Sequence, residues 1–326
     1  MRQRARTKRQ PVGRTSQNGS HMARPRSAIA HLQQLIVLVL LAAASGWLAG
    51  WWDRSRWIGC AGFAFIVLGY SGFLALEFLA LHFVDRGGAS SRPTWGALVR
   101  AWAGETLQGP RVFLWRQPFR WREVPDRITA GPQLQGRRGV VFIHGFVCNR
   151  GFWTPWLKRV TAEGRAFSAV NLEPLSGPID AYVPIVERAV AAVTQASGLS
   201  PVLVCHSMGG LAARAWLRAH GAGRVHHIVT IATPHHGTWL ARFGHTANGR
   251  QMRVGSDWLR ALGHERTNAP ATGFTCWYSD CDNIVFPTAT ATLPEADNRL
   301  VRGVAHVDLA FRPEVIRLSL ALLEDR

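Results

Sequence analysis

The nine residues VLVCHSMGG, at positions 202–210, decide the fold class of this chain. Val202–Cys205 is a short apolar run of the kind that forms a strand buried on both faces of a sheet. The segment from Gly209 to His220 follows, and its apolar side chains have the spacing of a helix with one core-facing side. The chain is therefore expected to turn sharply from a strand into a helix at Ser207, which lifts this serine clear of the sheet.

Strands and helices are expected to alternate on both sides of this turn. Short apolar runs predict further strands, at 140–143, 168–172, 225–231, 274–278 and 300–304. Helical spacing and capping signals predict helices at 151–163, 180–197 and 313–323. Alternation of this kind implies an α/β fold, with a mostly parallel sheet covered by helices on both faces. Functional residues are then expected in loops beyond the carboxyl ends of the strands.

The residues around Ser207 carry a resemblance to a known family. A serine on so tight a turn needs small neighbours two positions away; Gly209 provides one, and Cys205 stands where a glycine is usual. We call this strand–turn–helix segment around Ser207 the elbow. On the elbow, and over about residues 138–320, the chain resembles the α/β-hydrolase superfamily, in particular small bacterial lipases and esterases of the triacylglycerol lipase type. The resemblance implies an α/β-hydrolase fold and a nucleophilic serine.

A serine nucleophile needs a base and an acid, which follow it in this family in the chain order Ser, Asp, His. Asp282, followed by Ile-Val-Phe-Pro, resembles the acid turn of the family, and we prefer it to the nearby Asp280. His306, in the sequence Gly-Val-Ala-His, resembles the loop of the catalytic histidine. The resemblance therefore implies a catalytic triad of Ser207, Asp282 and His306.

The resemblance also implies an oxyanion hole and the borders of a substrate pocket. The backbone N–H groups of Phe146 and Met208 would receive the negative charge that develops on the ester carbonyl oxygen. Rings expected beside the substrate are those of Phe152, Trp153, His206 and Trp239. Neither His-Glu-Xaa-Xaa-His nor paired Cys-Xaa-Xaa-Cys occurs in the sequence, so we predict no metal and no cofactor.

The excess of positive charge lies mainly before the predicted catalytic domain. The net charge of +18 comes from 38 basic and 20 acidic residues; residues 1–27 hold eight basic and no acidic residues, and 86–138 hold ten and three. Between them, 28–52 and 57–76 lack charged side chains, and the second run continues apolar past Glu77. About 20 such residues cross a bilayer, so these segments predict a transmembrane hairpin.

This pattern divides the chain into four parts. They are a basic tail at 1–27, a transmembrane helical hairpin at 28–85 (helices at about 28–52 and 57–84), a basic aromatic juxtamembrane linker at 86–138, and a catalytic domain at 139–326 with a possible cap at 237–270. Arginines and tryptophans alternate in the linker, which after a transmembrane span indicates a membrane surface rather than a nucleic acid. We therefore expect the lipid bilayer as a partner and no nucleic acid; the sequence leaves the oligomeric state open.

Excess arginine on the side of both termini predicts a multi-pass protein of the cell inner membrane with a cytoplasmic catalytic domain. Two alternatives stay open. The run Leu35–Leu41 followed by Ala-Ala-Ala-Ser resembles a cleavable signal peptide, which would reverse the location, and Met22 is a second candidate start. In a cytoplasmic domain we expect free thiols, whereas Cys276 and Cys281 could pair in an oxidising compartment.

The function that these observations predict is hydrolysis of lipid or other hydrophobic esters by a membrane-anchored serine hydrolase, through an acyl-enzyme. The same three residues would also serve an acyltransferase or a thioesterase, because they do not determine which group accepts the acyl chain. A non-catalytic binding protein on a hydrolase scaffold is a further alternative, since fold does not imply function. A transporter has little support, because two helices without internal repeats provide no pathway.

Overall fold

The structure, a computed structural model, describes residues 27–85, 92–264 and 273–324. The predicted basic tail apart from Ser27, the candidate start at Met22 and the last residues of the predicted cap, 265–270, lie outside the described residues.

Two long apolar helices open the described chain. Helix α1 is Ala28–Trp51 and helix α2 is Arg56–Val84, so both agree within a residue with the predicted segments. Each begins at a serine, Ser27 or Ser55, whose side chain accepts a hydrogen bond from a backbone N–H group of the first turn. Both helices are long and apolar enough to cross a membrane, and most of their side chains are not buried.

The predicted linker contains three consecutive helical segments. Helix α3, Trp95–Pro110, starts at Thr94, whose side chain accepts a hydrogen bond from the backbone N–H of Ala97. A π-helical segment, Arg111–Arg116, and the short helix α4, Gln117–Phe119, follow without a break. Their buried side chains pack against α1, α2 and the rest of the chain, so this part of the chain is folded onto its neighbours.

Six parallel strands form one sheet in the order β2-β1-β3-β4-β5-β6. The strands are β1 Val140–Ile143, β2 Phe167–Ala169, β3 Val202–His206, β4 His227–Ile231, β5 Gly273–Tyr278 and β6 Asp297–Leu300. The last strand was predicted at 300–304. Its place differs because Gly303 adopts a left-handed φ of 69° and the N–H groups of Gly303 and Val304 donate to side chains of the preceding loop.

Helices cover both faces of the sheet and enclose two apolar cores. They are α5 Thr154–Ala162, α6 Val183–Ser197, α7 Met208–His220, α8 Ala247–Gln251, α9 Asp257–His264, α10 His306–Leu309 and α11 Pro313–Ala321. One core lies under α6 and α7, and the other lies under α5 and α11. A third, smaller cluster joins α2 and α3 to loops near the carboxyl ends of the strands through Phe78, Leu81, Leu98, Ala101, Cys281, Phe286 and Ala305.

Candidate active site

Ser207 lies on the sharp turn between β3 and α7, as predicted from its neighbours. Its backbone has φ 54° and ψ −129°, a left-handed φ that L side chains rarely adopt. The surrounding backbone holds this conformation, because the N–H of Ser207 donates to the carbonyl of Ile231 (2.9 Å) and the carbonyl of Ser207 accepts from the N–H of Gly210 (3.1 Å). Strain of this kind persists only where the fold over-determines the conformation, and it is concentrated at functional sites.

Small residues let neighbouring backbone approach the elbow. A Cβ atom on Gly209 would lie 2.4 Å from the carbonyl oxygen of Ile143, and one on Gly145 would lie 2.7 Å from the Cβ of Ser207. Cys205, in place of the usual glycine, is fully buried in the core under α6 and α7. Burial raises the pKa of the Cys205 thiol, so the residue has the character of a packing group rather than a nucleophile.

The structure brings His306 into contact with Asp282. The Nδ1 atom of His306 lies 2.9 Å and 3.0 Å from the two carboxylate oxygens of Asp282, and both side chains are buried. Because a carboxylate oxygen can only accept, Nδ1 carries the proton and Nε2 is left unprotonated. Asp280, the alternative acid, instead accepts from the backbone N–H of Gly303 (2.7 Å).

Charged neighbours adjust the proton affinity of His306. Burial disfavours the imidazolium form, but the charge of Asp282 and its hydrogen bond favour that form, as do the carboxylates of Glu105 and Glu77. The net effect raises the pKa of His306 above the ordinary histidine value. The ring is neutral and able to accept a proton only above this raised pKa, and therefore at higher pH than an ordinary histidine.

Activity is therefore expected to fall with decreasing pH, with a midpoint above the unperturbed histidine value of about 6.5. The sign follows from the raised pKa: His306 gains a proton as the pH falls through that value, and the imidazolium cannot accept the proton of Ser207. The measurement is kcat/KM for an ester substrate between about pH 5 and pH 9. A profile that stays flat across this range would contradict a basic role for His306.

His206 supports the backbone of His306 from the strand side. Its Nε2 lies 3.2 Å from the carbonyl oxygen of His306, and its ring stacks on Phe152 with centroids 4.4 Å apart. Burial, together with the neighbouring His306, lowers the pKa of His206 well below its usual value, so the ring is neutral. We assign the ring proton to Nε2, because the carbonyl that it faces only accepts.

The predicted oxyanion residues flank Ser207. Met208 follows the serine directly and begins α7, and Phe146 follows Gly145, where an added Cβ would lie 3.3 Å from the Ser207 Oγ. The loop is held by the ring of His144, whose Nδ1 donates to the Gly145 carbonyl (2.8 Å) and whose Nε2 accepts from the N–H of Leu172 (3.1 Å). Burial lowers the pKa of His144 to about 4. The ring is therefore neutral, with one nitrogen that donates and one that accepts.

The predicted pocket side chains divide into buried and accessible ones. Phe152 and Trp153 are fully buried, because the 3-10 helix Arg150–Trp153 turns both rings into the core under α5 and α11. Trp239 is half-buried and stacks on Phe286, with centroids 5.8 Å apart, four residues after Asp282. Of the four predicted rings, that of Trp239 is partly accessible beside the acid loop, and those of Phe152, Trp153 and His206 are buried.

Three further residues lie near the loops that carry Asp282 and His306 and were not among the predicted site residues. Asn283 accepts a hydrogen bond from the backbone N–H of His306 (3.2 Å), and Glu105 and Glu77 approach the same region from α3 and α2. One signal was present in the sequence, since Glu77 is the single charge in a long apolar segment, and such residues are commonly functional. Nothing in the local sequence distinguishes Glu105 or Asn283.

The cysteines form no disulfide in the described part of the chain, which contains all five. Cys276 and Cys281 are both buried, and the Sγ atom of Cys276 lies 3.6 Å from Nε2 of His235. Within residues 27–85, 92–264 and 273–324, no group of three or more His, Cys, Asp or Glu side chains is arranged to hold a metal ion.

Comparison with known proteins agrees with this architecture. The family model described as PGAP1-like alpha/beta domain matches residues 184–290. Among solved structures, the chain is similar to the mature lipase of Bacillus licheniformis (TM-score 0.52, 17% identity, 61% of this chain and 96% of that one). It is also similar to lipase B of Aspergillus fumigatus (TM-score 0.50, 17% identity, 63% of this chain and 57% of that one). A search of curated proteins gave no significant match. The chain is therefore an α/β-hydrolase-fold protein in which two long apolar helices precede the sheet.

Proposed function

We propose that this protein is a membrane-anchored serine hydrolase that cleaves carboxylic esters of lipids or of similarly hydrophobic compounds. The observation that carries the proposal is the contact of the His306 Nδ1 with both carboxylate oxygens of buried Asp282. This is the arrangement that a serine nucleophile requires of its base and acid. The ring of His306 also lies beside that of His206, with centroids 4.7 Å apart, and His206 directly precedes the strained Ser207.

In the proposed reaction, Nε2 of His306 accepts the hydroxyl proton of Ser207 while Oγ attacks the ester carbonyl carbon. The backbone N–H groups of Met208 and Phe146 donate to the resulting oxyanion. The His306 imidazolium then donates its proton to the departing alcohol, which leaves an acyl-enzyme on Ser207. Water, deprotonated by His306, attacks the carbonyl carbon of the acyl-enzyme. The bond to the Ser207 Oγ then breaks, the imidazolium returns its proton to that oxygen, and the acid product leaves. Asp282 keeps Nδ1 protonated throughout and stabilises the imidazolium.

Apolar surface beside the elbow supports a hydrophobic substrate. The side chains of Phe146 and Val147, on the predicted oxyanion loop, are exposed. The loop lies against the start of α1, because the side-chain amide of Gln33 donates to the carbonyl of Val147 (3.3 Å). An ester whose acyl chain lies in the bilayer would therefore reach Ser207 along an apolar surface. Both structural relatives described above are lipases, which also supports a lipid ester.

A second apolar surface lies between α2 and α3. A groove of about 310 Å³ between α2 and α3 is lined by Ala75, Phe78, Leu79, Trp95, Leu98, Val99 and Trp102. Phe78 and Leu98 belong to the same apolar cluster as Ala305, which directly precedes His306. In our proposal, part of a lipid acyl chain binds in this groove, close to the loop of His306.

We further propose that α1 and α2 cross the cell inner membrane and that the catalytic domain is cytoplasmic. The length and hydropathy of both helices support the crossing, and tryptophans near their connection suit a membrane interface. The arginine excess on the side of both chain termini supports the orientation.

Labelling with a fluorophosphonate probe tests the proposal. We expect the full-length protein in membranes to be labelled at Ser207, because only an activated serine attacks such a probe readily. Labelling should disappear in Ser207→Ala and persist in Ser200→Ala, which removes a half-buried serine elsewhere in the same domain. Mass spectrometry of the labelled peptide identifies the site. Absence of labelling in folded wild-type protein, or equal labelling in Ser207→Ala, would contradict the proposal.

A further inference from the structure

The helix that starts at His306 cannot satisfy its own first backbone N–H groups. In α10 the N–H of Leu309 bonds to the carbonyl of Ala305, but the N–H groups before it have no carbonyl one turn earlier in the helix. A side chain at the N-cap usually accepts one of these bonds, and here the N-cap is Ala305, whose methyl group cannot. Partners for this turn must therefore come from elsewhere in the chain.

Helix α3 supplies two of these partners through one carboxylate. The Oε1 atom of Glu105 accepts from the N–H of Val307 (3.0 Å), and Oε2 accepts from the N–H of Asp308 (3.1 Å). Glu105 is only 3% exposed, so these bonds form in a desolvated environment. A carboxylate buried at the positive end of a helix turn replaces the cap that Ala305 lacks.

Helix α2 is connected to the same turn through the side chain of Asn283. The N–H of His306 itself donates to Oδ1 of the fully buried Asn283 (3.2 Å). The Nδ2 atom of Asn283 in turn donates to Oε2 of Glu77 (2.6 Å), which fixes which way the amide points. Three consecutive N–H groups, those of His306, Val307 and Asp308, thus depend on two carboxylates from helices that precede the sheet.

We propose that Glu105 and Glu77 are positioning residues for His306, so that α2 and α3 complete the active site of the enzyme. The inference rests on the proposed function for the role of His306. It assigns to the N-terminal helices a part in catalysis beyond anchoring, because they determine the place of the imidazole relative to Ser207. A displacement of about 1 Å in such a group is enough to lower turnover about 10²-fold.

The same carboxylates act on His306 through their charge. Four ionisable groups of the described chain act on its ring: Asp282 from the acid loop and His206 from β3 contact it, and Glu77 from α2 and Glu105 from α3 act through their charge. Both glutamates favour the imidazolium, so removing either charge is expected to lower the pKa of His306. Burial raises the pKa of Glu105 to about 7; above that pH both of its oxygens accept, and below it a proton occupies one of them.

Kinetics of full-length protein in lipid nanodiscs test the positioning role. In Glu105→Ala we expect kcat to fall about 10²-fold with little change in KM, since the histidine and not the substrate is displaced. Glu77→Gln keeps an acceptor for Asn283 and removes only the charge. It should retain most of kcat and shift the acid limb of the pH profile to lower pH.

A matched control is Asp85→Asn. Asp85 is another buried carboxylate near the end of α2, and it accepts from the backbone N–H and the hydroxyl of Thr288 rather than from the histidine turn. We expect Asp85→Asn to leave the acid limb in place. The proposal would be overturned if the acid limb of the pH profile shifted equally in Asp85→Asn, or if it shifted in neither glutamate variant.

Hydrogen exchange provides a reading that does not depend on turnover. In Glu105→Ala the backbone amides of Val307 and Asp308 should exchange about tenfold faster or more, while in Asp85→Asn they should exchange at the wild-type rate. If wild-type protein hydrolyses no ester and this difference is seen, the anchoring of the His306 turn is supported and only the proposed function fails. If exchange at these amides is unchanged in Glu105→Ala, the positioning proposal fails, whatever the activity.

Discussion

Replacement of Asp282 by Asn is expected to lower ester turnover by about 10⁴-fold while leaving the fold intact. Oδ1 of Asp282 also accepts from the N–H groups of Ile284 (2.9 Å) and Val285 (2.8 Å), and an asparagine oxygen would keep these two bonds. The NH₂ group of the asparagine would then face Nδ1 of His306. This NH₂ group, in place of the Oδ2 that lies 3.0 Å from Nδ1, disfavours a proton on Nδ1. We therefore expect the ring proton to move to Nε2, and His306 would lose its capacity as a base.

The matched control for this variant is Asp280→Asn. Asp280 accepts from the N–H of Gly303 and lies near Arg302, so its replacement disturbs the turn before His306 without touching the ring. We expect Asp280→Asn to lower turnover by less than about tenfold, since the group lost is not in contact with the base. The measurement is kcat for both variants in membranes. Losses of similar size would show that Asp282 has no special role.

Gly209→Ala is expected to lower both the free energy of unfolding and the activity. The new Cβ would lie 2.4 Å from the carbonyl oxygen of Ile143 and 2.7 Å from that of His144, and neither backbone group moves easily. Overpacking of this kind costs about 1–3 kcal/mol. Relief of the contact would move the start of the Gly145–Phe146 loop away from Ser207. Loss of one oxyanion donor typically lowers turnover about 10²- to 10³-fold.

The control for this variant is Gly263→Ala, in α9. Nothing lies within 4 Å of a Cβ at this position, so the change should raise the free energy of unfolding by about 0.5–1 kcal/mol and leave turnover unchanged. Unfolding in denaturant and turnover measured on the same preparations compare the two variants. Wild-type stability and activity in Gly209→Ala would mean that the elbow is not packed as tightly as the structure has it.

The central strands were predictable because they are apolar on both faces. Val140–Ile143 and Val202–His206 are buried throughout, and the unbroken apolar runs Val140–Ile143 and Val202–Cys205 are visible in the sequence. The edge strand Asp297–Leu300 has exposed and half-buried polar residues, so no comparable signal marks it. The more apolar residues that follow drew the prediction to 300–304, although there the chain already turns toward His306.

The proposed triad was recognised from short local patterns, whereas the groups that hold its histidine were not. Ser207 and His306 each stand in a small motif whose meaning does not depend on distant residues. Glu105 and Glu77 act on residues 202 and 206 positions away, and no local rule predicts such pairings. For Phe152 and Trp153 the resemblance to the family suggested a place beside the substrate, and only the geometry of the 3-10 helix shows that both rings are buried.

Buried polar contacts join the N-terminal helices to the α/β domain. These contacts limit which segments of the protein can be exchanged, in evolution or in the laboratory. Exchanging the segment before Gly139 for the anchor of another protein would remove Glu77, Glu105 and the amide of Gln117, which holds the N–H of Asn149 near the elbow. The new protein would keep Ser207, Asp282 and His306 but lack the carboxylates that contact the turn of His306 and its neighbour Asn283. The N-terminal helices and the α/β domain are therefore expected to be inherited as one module, and chimeras should be joined ahead of Ser27.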